Sequence, residues 1–144
     1  YAGRGSCETA TIKECGKGLP PYSWGTTDFP ADCDSAWLKT TLLPCEATET
    51  QAVGGRDKDT SVYGLQDMVG NAREWVLDGY DATFYGTADA KKKNPAAKLV
   101  TDAVVRGGSF LTVGLDARLT QRGKLSKTDA NAADLGFRCV RVVK

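Results

Sequence analysis

No segment of this chain keeps apolar residues at i, i+3 and i+4 spacing for three helical turns, so no long amphipathic helix can organise its core. Short apolar clusters alternate instead with turn residues, and 16 glycines and 5 prolines are spread along 144 positions. That distribution predicts a loop-rich α+β fold with little regular secondary structure, in a single domain over 1–144. The apolar fraction of 41% with 26% charged residues suits an ordinary globular domain with a buried core. The longest apolar runs, such as Leu42-Leu43-Pro44-Cys45, are far too short to span a bilayer. A net charge of +1 gives no global field that would favour nucleic acid. The Lys91-Lys92-Lys93 run beside Asn94-Pro95 reads as a solvated loop.

Histidine is absent, so no imidazole can serve as general base or transition-metal ligand. Five cysteines are present. Spacing groups four of them into two short-range pairs, Cys7 with Cys15 and Cys33 with Cys45, in polar segments suited to disulfide-closed loops. Closing such loops contributes roughly 2–3 kcal/mol in the chain-entropy account. A zinc site is disfavoured, since there is neither a C-x-x-C nor a histidine. Cys139, in the apolar run Phe137-Arg138-Cys139-Val140, is expected to be buried or bonded to a partner outside the chain. Disulfides imply an extracytoplasmic location: periplasmic, secreted or cell-surface. The start at Tyr1, without an initiator methionine, suggests a mature form or part of a longer protein.

Three stretches read as strands or strand–turn units: 63–76, 103–110 and 135–143. The second and third are expected to pair antiparallel across a polar surface excursion from Leu111 to Asp134. Trp24, Trp75 and Phe137 read as core aromatics, and Gly107 and Gly108 as sites of positive φ or close backbone approach. Arg106 and Arg138 read as structural ion-pair partners or as residues lining a cleft.

These stretches carry a resemblance. Val62-Tyr63-Gly64-Leu65-Gln66-Asp67-Met68-Val69-Gly70-Asn71-Ala72-Arg73-Glu74-Trp75 is similar to a Y-G-L-x-D-M-x-G-N-x-W-E-W signature. Val105-Arg106-Gly107-Gly108-Ser109-Phe110 resembles an R-G-G-S-[WFY] element, and Leu135-Gly136-Phe137-Arg138-Cys139 a closing L-G-F-R-C. Tyr1-Ala2-Gly3-Arg4-Gly5 and Tyr22-Ser23-Trp24-Gly25 are similar to two earlier elements of the same series. Order and spacing agree, and the chain resembles the formylglycine-generating enzymes, or sulfatase-modifying factors. The resemblance implies their variant of the C-type lectin fold, with a small twisted antiparallel sheet. It also implies that 1–144 is the C-terminal portion of such a domain, whose N-terminal portion is a candidate partner.

Catalytic members of that family oxidise a sulfatase cysteine with copper held by two cysteines after the R-G-G-S element. The matching positions here are Thr112 and Ala117, and no cysteine lies between Cys45 and Cys139. Copper(I) needs soft thiolate donors, so no copper cofactor and no catalytic residues are expected. Arg73 stands where the family has a tryptophan, and its charge opposes a copper ion. The resemblance also implies structural calcium at Asp67, Gly70, Ala72 and Glu74, a mixture of carboxylates and carbonyls suited to a hard cation. The alternative is that Asp67 and Glu74 only accept hydrogen bonds from loop amides. Arg73, Ser109, Thr112, Arg118 and Arg122 are candidate ligand-binding residues. The expected function is a non-catalytic binding or scaffold module that meets a protein or glycan through the Leu111–Asp134 surface. The alternative is a sulfatase-modifying or other maturation enzyme acting on a substrate cysteine.

Overall fold

The computed structural model describes residues 21–25, 33–39, 47–92, 95–99, 101–129 and 131–140. Four strands form one sheet: β1 (Arg73–Gly79), β2 (Asp102–Arg106), β3 (Gly123–Ser126) and β4 (Leu135–Phe137). Single 3-10 turns lie at Phe84–Gly86, Asp89–Lys91, Gly114–Ala117 and Lys127–Asp129, and the described residues include no α-helix. Low regular secondary structure follows from the sequence pattern, since no segment offers a helical apolar stripe.

The sheet order is β3-β2-β1-β4. Strand β2 pairs antiparallel with β3, from Asp102↔Ser126 to Val105↔Gly123. It also pairs antiparallel with β1, at Glu74↔Arg106 and Trp75↔Val105, with an irregularity before Gly79↔Ala103. Ala103, Val104 and Val105 are all buried, so β2 is covered on both faces and reads as a continuous apolar run.

Strand β4 departs from the antiparallel expectation. It does not pair with β2 but runs parallel to β1, at Arg73↔Leu135, Glu74↔Gly136 and Trp75↔Phe137, which makes the sheet mixed. As an edge strand it leaves one side uncovered, and Phe137 is 76% exposed rather than part of the core. Cys139 just beyond it is exposed, contrary to the burial expected of it, and its thiol is free within the chain.

The core gathers around Tyr22, Ala36, Leu38, Val69 and Ala117, with Trp24 and Leu119 packed against it. Tyr22 and Trp24 stack with ring centroids 4.6 Å apart. The excursion from Leu111 to Asp134 is therefore not purely superficial. It contains β3, and it sends Ala117 and Leu119 inward, where the Leu119 N–H donates to the Pro21 carbonyl at 2.8 Å. Ala117 is fully buried, and a Cβ added at Gly108 would lie 3.3 Å from its Cα.

Candidate functional site

The site is organised by the turn at Gly70 and Asn71, where both residues adopt left-handed backbone, φ 83° and 61°. A Cβ at Gly70 would lie 2.5 Å from the Trp37 carbonyl oxygen, so only glycine fits there. The approach serves hydrogen bonding. The Gly70 N–H donates to the Gly107 carbonyl at 2.8 Å, the Asn71 N–H to the Trp37 carbonyl at 2.9 Å, and the Phe110 N–H to the Asn71 carbonyl at 3.0 Å. One turn thereby joins residues 33–39 to the loop that follows β2.

The set expected to hold calcium flanks this turn, and its carboxylates are committed elsewhere. Arg138 donates to both oxygens of Glu74, through Nε at 3.0 Å and Nη2 at 2.8 Å. The same Nη2 donates to the carbonyls of Gln66 at 3.0 Å and Asp67 at 3.3 Å. Asp67, itself left-handed at φ 54°, accepts the Gly54 N–H at 2.6 Å. As arranged, Asp67, Gly70, Ala72 and Glu74 do not fit a calcium ion. Six to eight oxygens are needed, and the strongest donor of the set faces a guanidinium. Among the described residues no group of three or more Asp, Glu or Cys side chains is placed to hold a metal. Sequence reasoning missed Asp59, which is fully buried beneath this turn. Its carboxyl accepts from the Ser23 hydroxyl and from the Val69 N–H at 3.3 Å. Burial pushes it up to about 7 against those two hydrogen bonds, with the charge of Asp67 adding to the rise and that of Arg138 opposing it.

Two of the five candidate ligand-binding residues, Ser109 and Arg73, meet on Asp134, and a third, Thr112, joins them through Ser109. The Ser109 hydroxyl donates to Asp134 Oδ2 at 2.8 Å, and Arg73 Nη2 donates to Asp134 Oδ1 at 3.0 Å. The Arg73 N–H also donates to the Asp134 carbonyl, at 3.0 Å. Thr112 closes the group by accepting the Ser109 N–H at 2.9 Å. Asp134 escaped sequence reasoning because nothing local marks an acid 25 residues after Ser109 as its partner. A Cβ on Gly108 would lie 3.1 Å from Thr112 Cγ2 and 3.3 Å from Ala117 Cα. The two positions expected to match the copper cysteines are therefore neighbours across Gly108, at φ 69°. One carries a hydroxyl bound to backbone and the other a buried methyl. Neither is a soft donor for copper(I), so the residues present do not fit that ion.

Arg118 and Arg122 lie apart from this network. Arg118 Nε donates to the Leu115 carbonyl at 2.8 Å. Arg122 lies over Tyr85 at 4.4 Å and Tyr80 at 5.5 Å, and donates to the Asp81 carbonyl at 3.0 Å. Arg106 donates to the Tyr85 hydroxyl at 2.8 Å and to the carbonyls of Leu119, Thr120 and Gln121. Between these groups, Leu111, Val113 and Leu115 are 53%, 51% and 64% exposed, an outward apolar edge on the loop whose inner residues are Thr112 and Ala117.

A scaffold of turns, one small mixed sheet and a glycine-built loop after β2 defines an α+β domain of the C-type lectin-like, formylglycine-generating type. The model of the sulfatase-modifying factor enzyme 1-like domain matches residues 10–143, and the chain belongs to that family. The chain is 33% identical over 86 residues to serine/threonine-protein kinase Pkn1 of Chlamydia trachomatis, covering 59% of this chain and 14% of that protein. It is 34% identical over 83 residues to the protein of the same name in Chlamydia caviae, covering 57% and 13%. Among solved structures, Treponema denticola variable protein 1 superposes with a TM-score of 0.62 at 24% identity, covering 82% of this chain and 39% of that one. The chain thus spans about a seventh of those curated relatives and well under half of the solved neighbour, whose likeness is one of fold.

Proposed function

We propose that this chain is a non-catalytic binding or scaffold module of an extracytoplasmic protein, and that it meets a protein or glycan through the Leu111–Asp134 surface. One observation carries the reading. The loop where copper thiolates would stand holds Thr112 and Ala117 inward, in hydrogen bonding and in the core, and turns Leu111, Val113 and Leu115 outward. A loop relieved of metal binding can serve recognition, and aromatic and arginine residues of the kind found beside it, Tyr85 and Arg122, are typical binding anchors. The relatives named as kinases hold the matched segment as a small part of a longer chain, which suits a module serving other domains. Cys33 is disulfide-bonded, whereas Cys7, Cys15 and Cys45 lie outside the described residues. The pairs Cys7–Cys15 and Cys33–Cys45 complete the proposal and support an oxidising compartment.

The test is direct. The protein is incubated with copper and a sulfatase-type peptide containing the target cysteine, and the peptide is weighed. The reading expects an unchanged peptide. Conversion of its cysteine to formylglycine would establish the alternative, a maturation enzyme.

A further inference from the structure

Arg138 sits where the flanks of the Gly70 turn concentrate negative potential. Both Glu74 oxygens face it, and the carbonyls of Gln66 and Asp67 turn to the same Nη2. Consecutive carbonyls can share one donor because Asp67 reverses the backbone at φ 54°. The Asp67 carboxylate adds to the field that holds the guanidinium charged. These are the groups a hard cation would otherwise need: a carboxylate offering two oxygens, peptide carbonyls beside it and a further acid nearby.

We infer that Arg138 is the resident cation of this turn, a guanidinium delivered by β4 that makes the cross-link a calcium ion would make, so that the domain is independent of calcium. The chemistry favours it. Guanidinium matches a carboxylate through two parallel N–H bonds, and charge-assisted bonds of this kind are the stronger class. Being tethered, the cation is present at high effective concentration and no chelator removes it. A calcium ion entering the same cup would have to displace Arg138 or lie against its positive charge. The location explains what the pair does. Strand β4 pairs with β1 over three residues at the sheet edge, and Arg138 follows it directly. Its bond to Glu74 on β1 and to the carbonyls at 66 and 67 fastens the end of that short strand.

Thermal melting of the full chain in EGTA and in millimolar calcium, with terbium luminescence as a direct binding assay, tests this without any variant. The expected result is the same melting temperature in both and no saturable terbium signal. A site of submillimolar affinity would raise the melting temperature by several degrees, and would overturn the inference. A double-mutant cycle with Glu74→Gln and Arg138→Met reads the pair itself. The double variant is expected to melt well above the sum of the two single losses, because each single change strands a charge. Additive losses would overturn the cross-link. If a single variant does not fold, the wild-type measurements still decide.

Discussion

Asn71 holds the backbone of Gln51 by both ends of its carboxamide, accepting the Gln51 N–H on Oδ1 at 2.8 Å and donating from Nδ2 to the Gln51 carbonyl at 3.2 Å. The same residue is buried in left-handed backbone and bonds Trp37 and Phe110 through its own peptide groups. Asparagine suits the place because it tolerates positive φ and offers a donor and an acceptor side by side. Asn71→Ala is expected to lower stability by about 2–3 kcal/mol, from two lost hydrogen bonds and a strained φ. Asn71→Gly relieves the strain and is expected to cost less. Denaturant melts of the two variants check the order.

Asp59 makes stability depend on pH. In the unfolded chain it ionises near its ordinary value of 3.8, whereas in the fold burial keeps its proton to about 7. The folded state therefore binds more protons between those values, and this contribution is lost as pH rises from about 4 through 7. Asp59→Asn holds the uncharged form at every pH. Its melting temperature relative to wild type is expected to improve between pH 5 and pH 8, and a constant difference would contradict the assignment.

Asp134 serves Ser109 and Arg73 at once, so removing it strands both. Asp134→Ala is expected to cost about 3 kcal/mol, toward the low end for a broken buried pair because the Arg73 side chain is 29% exposed. Asp134→Asn keeps an acceptor for one partner and is expected to lie between the alanine variant and wild type. Urea melts compare the three, and the same series reports whether the loop from Ser109 to Thr112 depends on the network.

Cys139 is exposed and free, whereas Cys33 is disulfide-bonded. With the other three cysteines in the proposed pairs, one thiol is expected to react in the native, unreduced protein, and still only one after denaturation. Five reactive thiols would remove the support for an oxidising compartment.

The turn at Gly70 and the positive φ of Gly107 and Gly108 were legible in the sequence, because glycine adopts such backbone at no steric cost. The apolar run of β2 was equally legible, since β-branched residues covered on both faces leave a continuous pattern. Of the two readings of Arg138, an ion-pair partner or a residue lining a cleft, its bond to Glu74 bears out the first. The direction of β4 was not legible: three residues cannot encode a parallel partner, and 61 residues separate Arg73 from Asp134. The burial expected of Phe137 fails for the same reason, since apolar character says nothing about which strand ends at the sheet edge.

The chain's own pattern of glycines and short apolar runs determined the kind of domain and its tight turns, and its sequence carries no cysteine between Cys45 and Cys139. Those properties are local: backbone angles and donor chemistry belong to individual residues. Which carboxylate meets which guanidinium was decided only when the sheet brought β4 beside β1, placing Arg138 on Glu74 and Asp134 on Arg73. Charges pair through space, and the spacing along a chain does not contain that distance.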